Sequence, residues 1–404
     1  MRILFISQLY DPEYSIKGSA LMQYWREQGH DVEVITTFPN YPTGKVFDGY
    51  KVKFCSSETN NGVKVTRLWS HISHSKSKIS RAFSYITFTL MALFTALNRK
   101  NIDLVYAYHP QSTTGLIGLI MNKLKKVPFI TDVQDLWPDA LIATGMNKSG
   151  LIVKVLGWWC KVIYKNATQV IVLSEGYKKA LVQRGVKAEN ITVVYNWCPE
   201  EARIDSVLSE KSIVPCVKHK PAHFIYAGNM GAAQSLASMI DAVSTFSKDD
   251  VIFTLIGGGV EKQELQKLVK EKEISNVIIK DYVPPSQIFK VLSDADVLVV
   301  HLRDDPLFRI TIPSKTQSSL AMGKPILMAV GGEANFILES ANAGVVAEPD
   351  DVSSIIASIR ELLARREEWP EMAENSRAFY SKNMSMLVSY SRLDDVLKKA
   401  VNKL

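Results

Sequence analysis

Apolar and polar positions along this 404-residue chain fall into two alternating patterns. Short apolar runs bounded by turn residues predict strands at RILFIS, VEVITTF, KVTRLW, DLVYAYH, PFITDV, QVIVLS and ITVVYN in the first half. The series restarts at HFIYAG and continues through IFTLIGG, VIIKDYV, DVLVVHL, PILMAV and AGVVAE. Stretches of helical period or loops separate the runs. Strands that are apolar on both faces, alternating with helices, imply parallel sheets covered on each side. The prediction is an α/β chain of two Rossmann-like, doubly wound domains. They span residues 1–198 and 222–375, with a polar, proline-punctuated linker at 199–221 (PEEARIDSVLSEKSIVPCVKHKP) and a helical segment at 376–404.

Two helical stretches stand out. Residues 79–97 (ISRAFSYITFTLMALFTAL) are nearly long enough to span a bilayer, which takes roughly 20 apolar residues. Ser80, Ser84, Thr87 and Thr95 fall on one face, however, which argues against spanning. Lys76, Lys78 and Arg81 lie at one end and Arg99 and Lys100 at the other. Residues 151–165 (LIVKVLGWWCKVIYK) set Lys154, Lys161 and Lys165 on one face beside Trp158 and Trp159, an interfacial pattern. Periodicity leaves two readings open for both stretches: core helices with solvated lysines, or helices lying on a membrane.

Charge sharpens this picture. Residues 1–200 carry 24 Lys/Arg against 14 Asp/Glu, and residues 201–404 carry 24 against 27, so the first half holds +10 and the second −3. The first half is expected to face an anionic partner. Nucleic acid is excluded for want of zinc-finger, RNP-like or basic helix-turn-helix patterns, which leaves an anionic membrane surface. Cys55, Cys160, Cys198 and Cys216 are widely spaced, with no metal or disulfide framework, as suits a reducing cytosol. The opening MRILFISQLY lacks a cleavage signal and reads as the first strand.

Candidate chemistry sits where strands end. Phe253–Leu265 (FTLIGGGVEKQEL) and Tyr226–Gly231 (YAGNMG) are strand-then-glycine turns of the kind that let a phosphate or ribose approach backbone N–H groups. Between a strand and a helix, Arg303–Lys315 (RDDPLFRITIPSK) brings Arg303, Arg309 and Lys315 to the same sheet edge, three cations suited to a diphosphate. The alternative for Arg303 and Arg309 is pairing with Asp304 or Asp305 within the loop. Tyr108-His109-Pro110 and Asp132-Val133-Gln134-Asp135 end two strands of the first half. Asp294-Ala295-Asp296 has the form of a metal-binding DxD but falls where a helix meets a strand start, so no metal site is expected.

These pieces together resemble glycosyltransferase family 4, retaining enzymes of the GT-B fold. GHDVEVIT (29–36), VLSEG (172–176), VVYNW (193–197), YAGN (226–229), LIGGG (255–259), MGKPIL (322–327) and AVGGE (329–333) fall where the family's motifs fall, over nearly the whole chain. NYPTG (40–44), DVQDLWPD (132–139) and RDDPLFRITIPSK resemble a bacterial surface-polysaccharide branch, in particular L-fucosamine transferases. The resemblance implies two sheets facing a cleft, with C-terminal helices crossing back to the first domain. It also implies transfer from a UDP-sugar to a polyprenyl-diphosphate-linked acceptor at the cytoplasmic membrane face, in O-antigen or capsule synthesis, without cofactor or metal.

By the same resemblance His109 contacts the transferred sugar and Asp135 orients a sugar hydroxyl or the acceptor. Gly228, Asn229, Gly257, Gly258, Gly259, Val283, Arg303, Arg309, Lys315 and Gln317 bind the donor, and Gly18, Asn40 and Tyr41 the acceptor. Two departures matter. The family's paired glutamates fall at Ile310 and Ser318, and its usual donor-binding Arg and Lys at Asn229 and Gln234. Arg303, Arg309 and Lys315 are therefore expected to supply the missing cations. Rival readings are a nucleotide-sugar 2-epimerase and a catalytically silent UDP-binding subunit.

Overall fold

The computed structural model describes residues 1–41, 43–72, 78–109, 111–143, 146–210, 221–284 and 286–402. It divides into two compact units, residues 1–194 with 390–404, and residues 195–389. Lys76 and residues 211–220 of the expected linker lie outside the described residues, as do the side chains of Lys78 and His109.

The first unit is built on β1 (Arg2–Ile6), β2 (Asp31–Thr37), β3 (Cys55–Asn60), β4 (Val63–Leu68), β5 (Leu104–His109), β6 (Phe129–Val133), β7 (Gln169–Val172) and β8 (Ile191–Val193). The sheet order is β3-β4-β2-β1-β5-β6-β7-β8, parallel except for β3, which pairs antiparallel with β4. Helices α1 (Ser19–Glu27), α2 (Lys78–Leu97), α3 (Thr113–Lys125), α4 (Asp139–Ala143), α5 (Leu151–Asn166) and α6 (Glu175–Gln183) connect the strands. Ile3 to Ile6 of β1 are fully buried, as a central strand covered on both faces must be. At the edge, β3 (CSSETN) is mostly exposed.

In the second unit α7 (Glu201–Glu210) precedes β9 (Ala222–Asn229), α8 (Leu236–Val243), β10 (Val251–Gly258), α9 (Lys262–Glu271), β11 (Val277–Lys280), α10 (Ile288–Leu292) and β12 (Val297–His301). Then come α11 (Ser314–Met322), β13 (Ile326–Ala329), α12 (Glu333–Ala341), β14 (Gly344–Val346), α13 (Val352–Ala364), α14 (Trp369–Asn383) and α15 (Met386–Val401). The order β11-β10-β9-β12-β13-β14 is that of a doubly wound nucleotide-binding sheet. Its two faces are filled by separate apolar clusters, one around Phe224, Tyr226 and Phe253, the other around Ile225, Leu298 and Met328.

Part of the expected linker is helical. α7 buries Ile204 against the second unit, and its Asp205 is ion-paired with Arg377 of α14. From Tyr390 onward α15 belongs to the first unit, where Tyr24 Oη and Trp25 Nε1 donate to Asp394 at 2.8 and 3.1 Å.

Candidate active site

Ligands of such sheets bind outside the strand C-termini where the strand order reverses. In the second unit that point lies between β9 and β12, and glycines open it. Gly257 has φ 144°, and a Cβ there would fall 2.0 Å from the Gly228 carbonyl oxygen of the paired strand. At Gly259 (φ 151°) a Cβ would fall 2.2 Å from the Met230 oxygen. Only glycine lets these two turns nest. Gly258 meets nothing within 4 Å at its Cβ position, so its backbone faces open space.

Lys315, in the first turn of α11, reaches this edge. Its Nζ lies 4.9 Å from the centre of the Tyr226 ring, and a Cβ on Gly228 would come within 2.6 Å of that Nζ. The half-buried ammonium has no hydrogen bond or ion pair among the described residues. Burial lowers its pKa to about 8. Beside it, the Thr316 hydroxyl is buried without a partner. The position just after a helix start adds the field of free N–H groups.

The other expected cations are occupied. Arg309 donates to both oxygens of Asp304, at 2.7 and 3.0 Å, which raises the guanidinium and lowers the carboxyl pKa. Arg303 lies 3.5 Å from Asp305. Asn229 and Gln234 are joined to each other, Nδ2 to Oε1 at 2.8 Å, and His301 Nδ1 bonds the Gln234 carbonyl oxygen at 2.6 Å. Gln317 is buried, its amide nitrogen facing the Pro313 and Ser314 carbonyls at 2.7 and 3.0 Å, and Val283 packs against the core. Ile310 ends a short 3-10 turn and the Ser318 hydroxyl donates to the Lys315 carbonyl. Asp296 bonds His223 N at 2.8 Å at the opposite, N-terminal edge of the sheet.

In the first unit the corresponding edge is organised by buried charge. Lys17 and Asp132 form a fully buried ion pair, and Asp132 also accepts from the Tyr106 hydroxyl and from Gln134 Nε2 at 2.6 Å. Buried Glu13 accepts from Asn40 N and Tyr41 N at 2.6 and 2.7 Å. Asp11 accepts from Ser19 N at 2.7 Å, and a Cβ at Gly18 would strike that carboxylate. Gly18 is thus where the loop closes on α1. Asp135, which follows β6, has its pKa raised by desolvation although one side of the residue is open. His109 ends β5 beside Val133, its side chain outside the described residues. Lys17 and Glu13 were not singled out from sequence; a lone charge in a loop carries no periodicity, and their only signal was proximity to Gly18.

Residues 19–197 match the glycosyl transferase 4-like domain and residues 210–379 the glycosyl transferases group 1 model, together most of the chain. The chain belongs to the group 1 glycosyltransferases. Among curated relatives, WcaI of Escherichia coli K12, whose name places it in colanic acid biosynthesis, is 24% identical over 382 residues, covering 90% of this chain and 92% of its own. Among solved structures, sucrose-phosphate synthase of Thermosynechococcus elongatus superposes with TM-score 0.73 at 14% identity over all of both chains. Anabaena HepE in complex with UDP gives 0.67 at 14% identity, over 98% of this chain and 100% of its own. The glycosyltransferase therefore has the GT-B fold, with two parallel α/β sheets.

Proposed function

We propose that this glycosyltransferase is a hexosyltransferase that moves a sugar from a UDP-sugar, with retention, onto a polyprenyl-diphosphate-linked acceptor in O-antigen or capsule assembly. The transferred group is an N-acetylated 6-deoxy amino sugar such as L-fucosamine. UDP is supported by the HepE complexes, surface polysaccharide by WcaI, and the sugar by the resemblance of NYPTG, DVQDLWPD and RDDPLFRITIPSK.

The observation that carries the donor reading is Lys315. An ammonium desolvated against Tyr226, without a carboxylate and beside open glycine backbone, lacks a counter-ion, and a diphosphate supplies one. As the sugar leaves, charge grows on the diphosphate, and a fixed cation with a helix N-terminus stabilises it more than it does the bound substrate. His109 is assigned to the transferred sugar and Asp135 to a hydroxyl on sugar or acceptor.

A membrane position at the inner face of the cytoplasmic membrane is supported by α2. Its hydroxyl side faces the protein: Ser84 accepts from Gln8 Nε2 at 3.0 Å and Thr87 from His71 N at 3.0 Å. Ile79, Phe83, Ile86, Leu90 and Phe94 are exposed along the outer face, Phe94 by 69%. On α5, Leu151, Ile152, Val155 and Trp158 are exposed too, beside exposed Lys154, Lys161 and Lys165. α3 packs against both helices. Apolar outer faces flanked by lysines suit helices lying in an anionic interface, not spanning it.

The test is calorimetry with UDP, GDP and ADP. UDP should bind at least about tenfold more tightly than the other two. Equal affinities, or no binding of UDP, would remove the UDP-sugar donor.

A further inference from the structure

At the C-terminal edge of the first sheet, the start of α2 meets the turns after β2 and β6. The Tyr85 ring lies 6.4 Å from that of Trp137, tilted 57° to it. Its hydroxyl is within electrostatic reach of Arg81, Asp135 and Tyr41. No hydrogen bond engages that hydroxyl among the described residues.

Each of these groups is fixed from behind. Ser84 and Thr87, bonded to Gln8 and His71, set the rotation of α2 and hence the direction of Tyr85. The Trp137 carbonyl accepts from Arg184 at 3.3 Å, and Arg184 also holds Asp139 at 2.6 Å. Glu13 holds the Tyr41 backbone, and Gln134, bonded to Asp132, precedes Asp135. Yet Tyr41 and Asp135 are themselves exposed. Aromatic faces and a carboxylate held this way, but left open, form a site and not a core.

Within two turns the same helix shows three chemistries. Arg81 lies one turn before Tyr85, on its side, while Ile79, Phe83 and Ile86 point away into solvent. A ligand matching all three has a sugar ring, a phosphate and an apolar chain, in that order.

We propose that Tyr85, Trp137, Tyr41 and Asp135 form the subsite for the acceptor's first sugar, with Arg81 pairing its diphosphate and Phe83 and Ile86 covering the start of its polyprenyl chain. The aromatic rings stack on the pyranose, Asp135 accepts a hydrogen bond from a sugar hydroxyl, and the lipid leaves along the apolar face of α2. The assignment rests on the lipid-linked-acceptor reading above and adds the residues that recognise that acceptor.

The test is calorimetric binding of two probes, farnesyl-diphosphate N-acetylglucosamine and a farnesyl N-acetylglucosaminide without phosphate, to the full chain and its variants. Arg81→Gln should weaken the first probe about tenfold and leave the second unchanged. Trp137→Leu and Asp135→Asn should weaken both about tenfold, with UDP affinity within twofold of wild type. Arg81 is exposed, so its variant stays informative should Trp137→Leu fail to fold. Wild-type affinity in all three variants, or no binding of either probe by wild type, overturns the subsite. A wild type that binds the probe but transfers no sugar overturns the transferase reading and keeps the subsite. A wild type that transfers sugar while the variants bind normally does the reverse.

Discussion

The Lys315 ammonium lies 4.9 Å from the centre of the Tyr226 ring, above Gly228, at the reversal point of the second sheet. In the donor site proposed above, this one cation carries the charge that the family resemblance assigns to several. The neighbouring Asn229 amide donates to Gln234 Oε1, and Arg309 is held by Asp304.

Replacing Lys315 by Met should lower UDP affinity about tenfold or more, since a charge-assisted hydrogen bond contributes about 1.5–3 kcal/mol. The pH dependence follows from its pKa of about 8 in the free protein. Below that pH the ammonium is in place and affinity is full. Above it, binding must first take up a proton, so affinity falls as pH rises. Calorimetry at pH 7 and pH 9 should show this fall in wild type and its absence in Lys315→Met.

Arg309→Ala should weaken UDP less than Lys315→Met, because its fork is already satisfied by Asp304. Asp304→Ala should leave UDP affinity unchanged or tighten it, by freeing the guanidinium and removing a like charge from the donor's side. A larger loss in Arg309→Ala than in Lys315→Met, measured in one titration series, would reverse this ranking.

The strand pattern, the doubly wound order and the glycine turns at Gly228 and Gly257–Gly259 were legible because apolar runs and glycines report burial and backbone shape directly. β3 was not read: CSSETN has no apolar run, and at its exposed edge it joins β4 through backbone pairing and polar side-chain contacts, Ser57 with Thr66 and Glu58 with Arg67. The polar composition of the linker did not show that its first part folds as α7, a short helix that buries Ile204. The outward face of α2 was equally hidden, since the period that puts Ser84 and Thr87 together does not say which face meets the sheet. Nor could RDDPLFR reveal from composition whether Arg309 turns to Asp304 or to a ligand.

Lys17→Met should strand the Asp132 carboxylate in the core of the first unit and cost about 3–5 kcal/mol, the usual penalty for breaking a buried pair. Adding Asp132→Asn should recover most of it, because the charge is gone while Tyr106 and Gln134 keep partners. Urea unfolding of the two variants measures the difference. Equal stability of the single and double variants would mean that Asp132 is not held as a buried carboxylate.

Leu90→Ser with Phe94→Ser should leave thermal stability within about 0.5 kcal/mol of wild type, as both side chains are exposed. The same pair should reduce sedimentation with anionic vesicles severalfold. Binding of wild type should also fall with salt, each Lys or Arg near such a surface contributing about 1 kcal/mol. Equal binding to neutral and anionic vesicles would remove the electrostatic part.

The most direct measurement is transfer itself. The full chain is incubated with UDP-N-acetyl-L-fucosamine labelled in the sugar and with vesicles carrying a polyprenyl-diphosphate N-acetylhexosamine, and label is followed into the lipid phase. The expected outcome is label in lipid, UDP released in equal amount, a retained anomeric configuration, and a loss of at least about 100-fold in rate in His109→Ala with UDP affinity kept, which corresponds to about 2.7 kcal/mol of transition-state stabilisation. Tight UDP binding with no label entering lipid, or label recovered only as an epimerised nucleotide sugar, would contradict it.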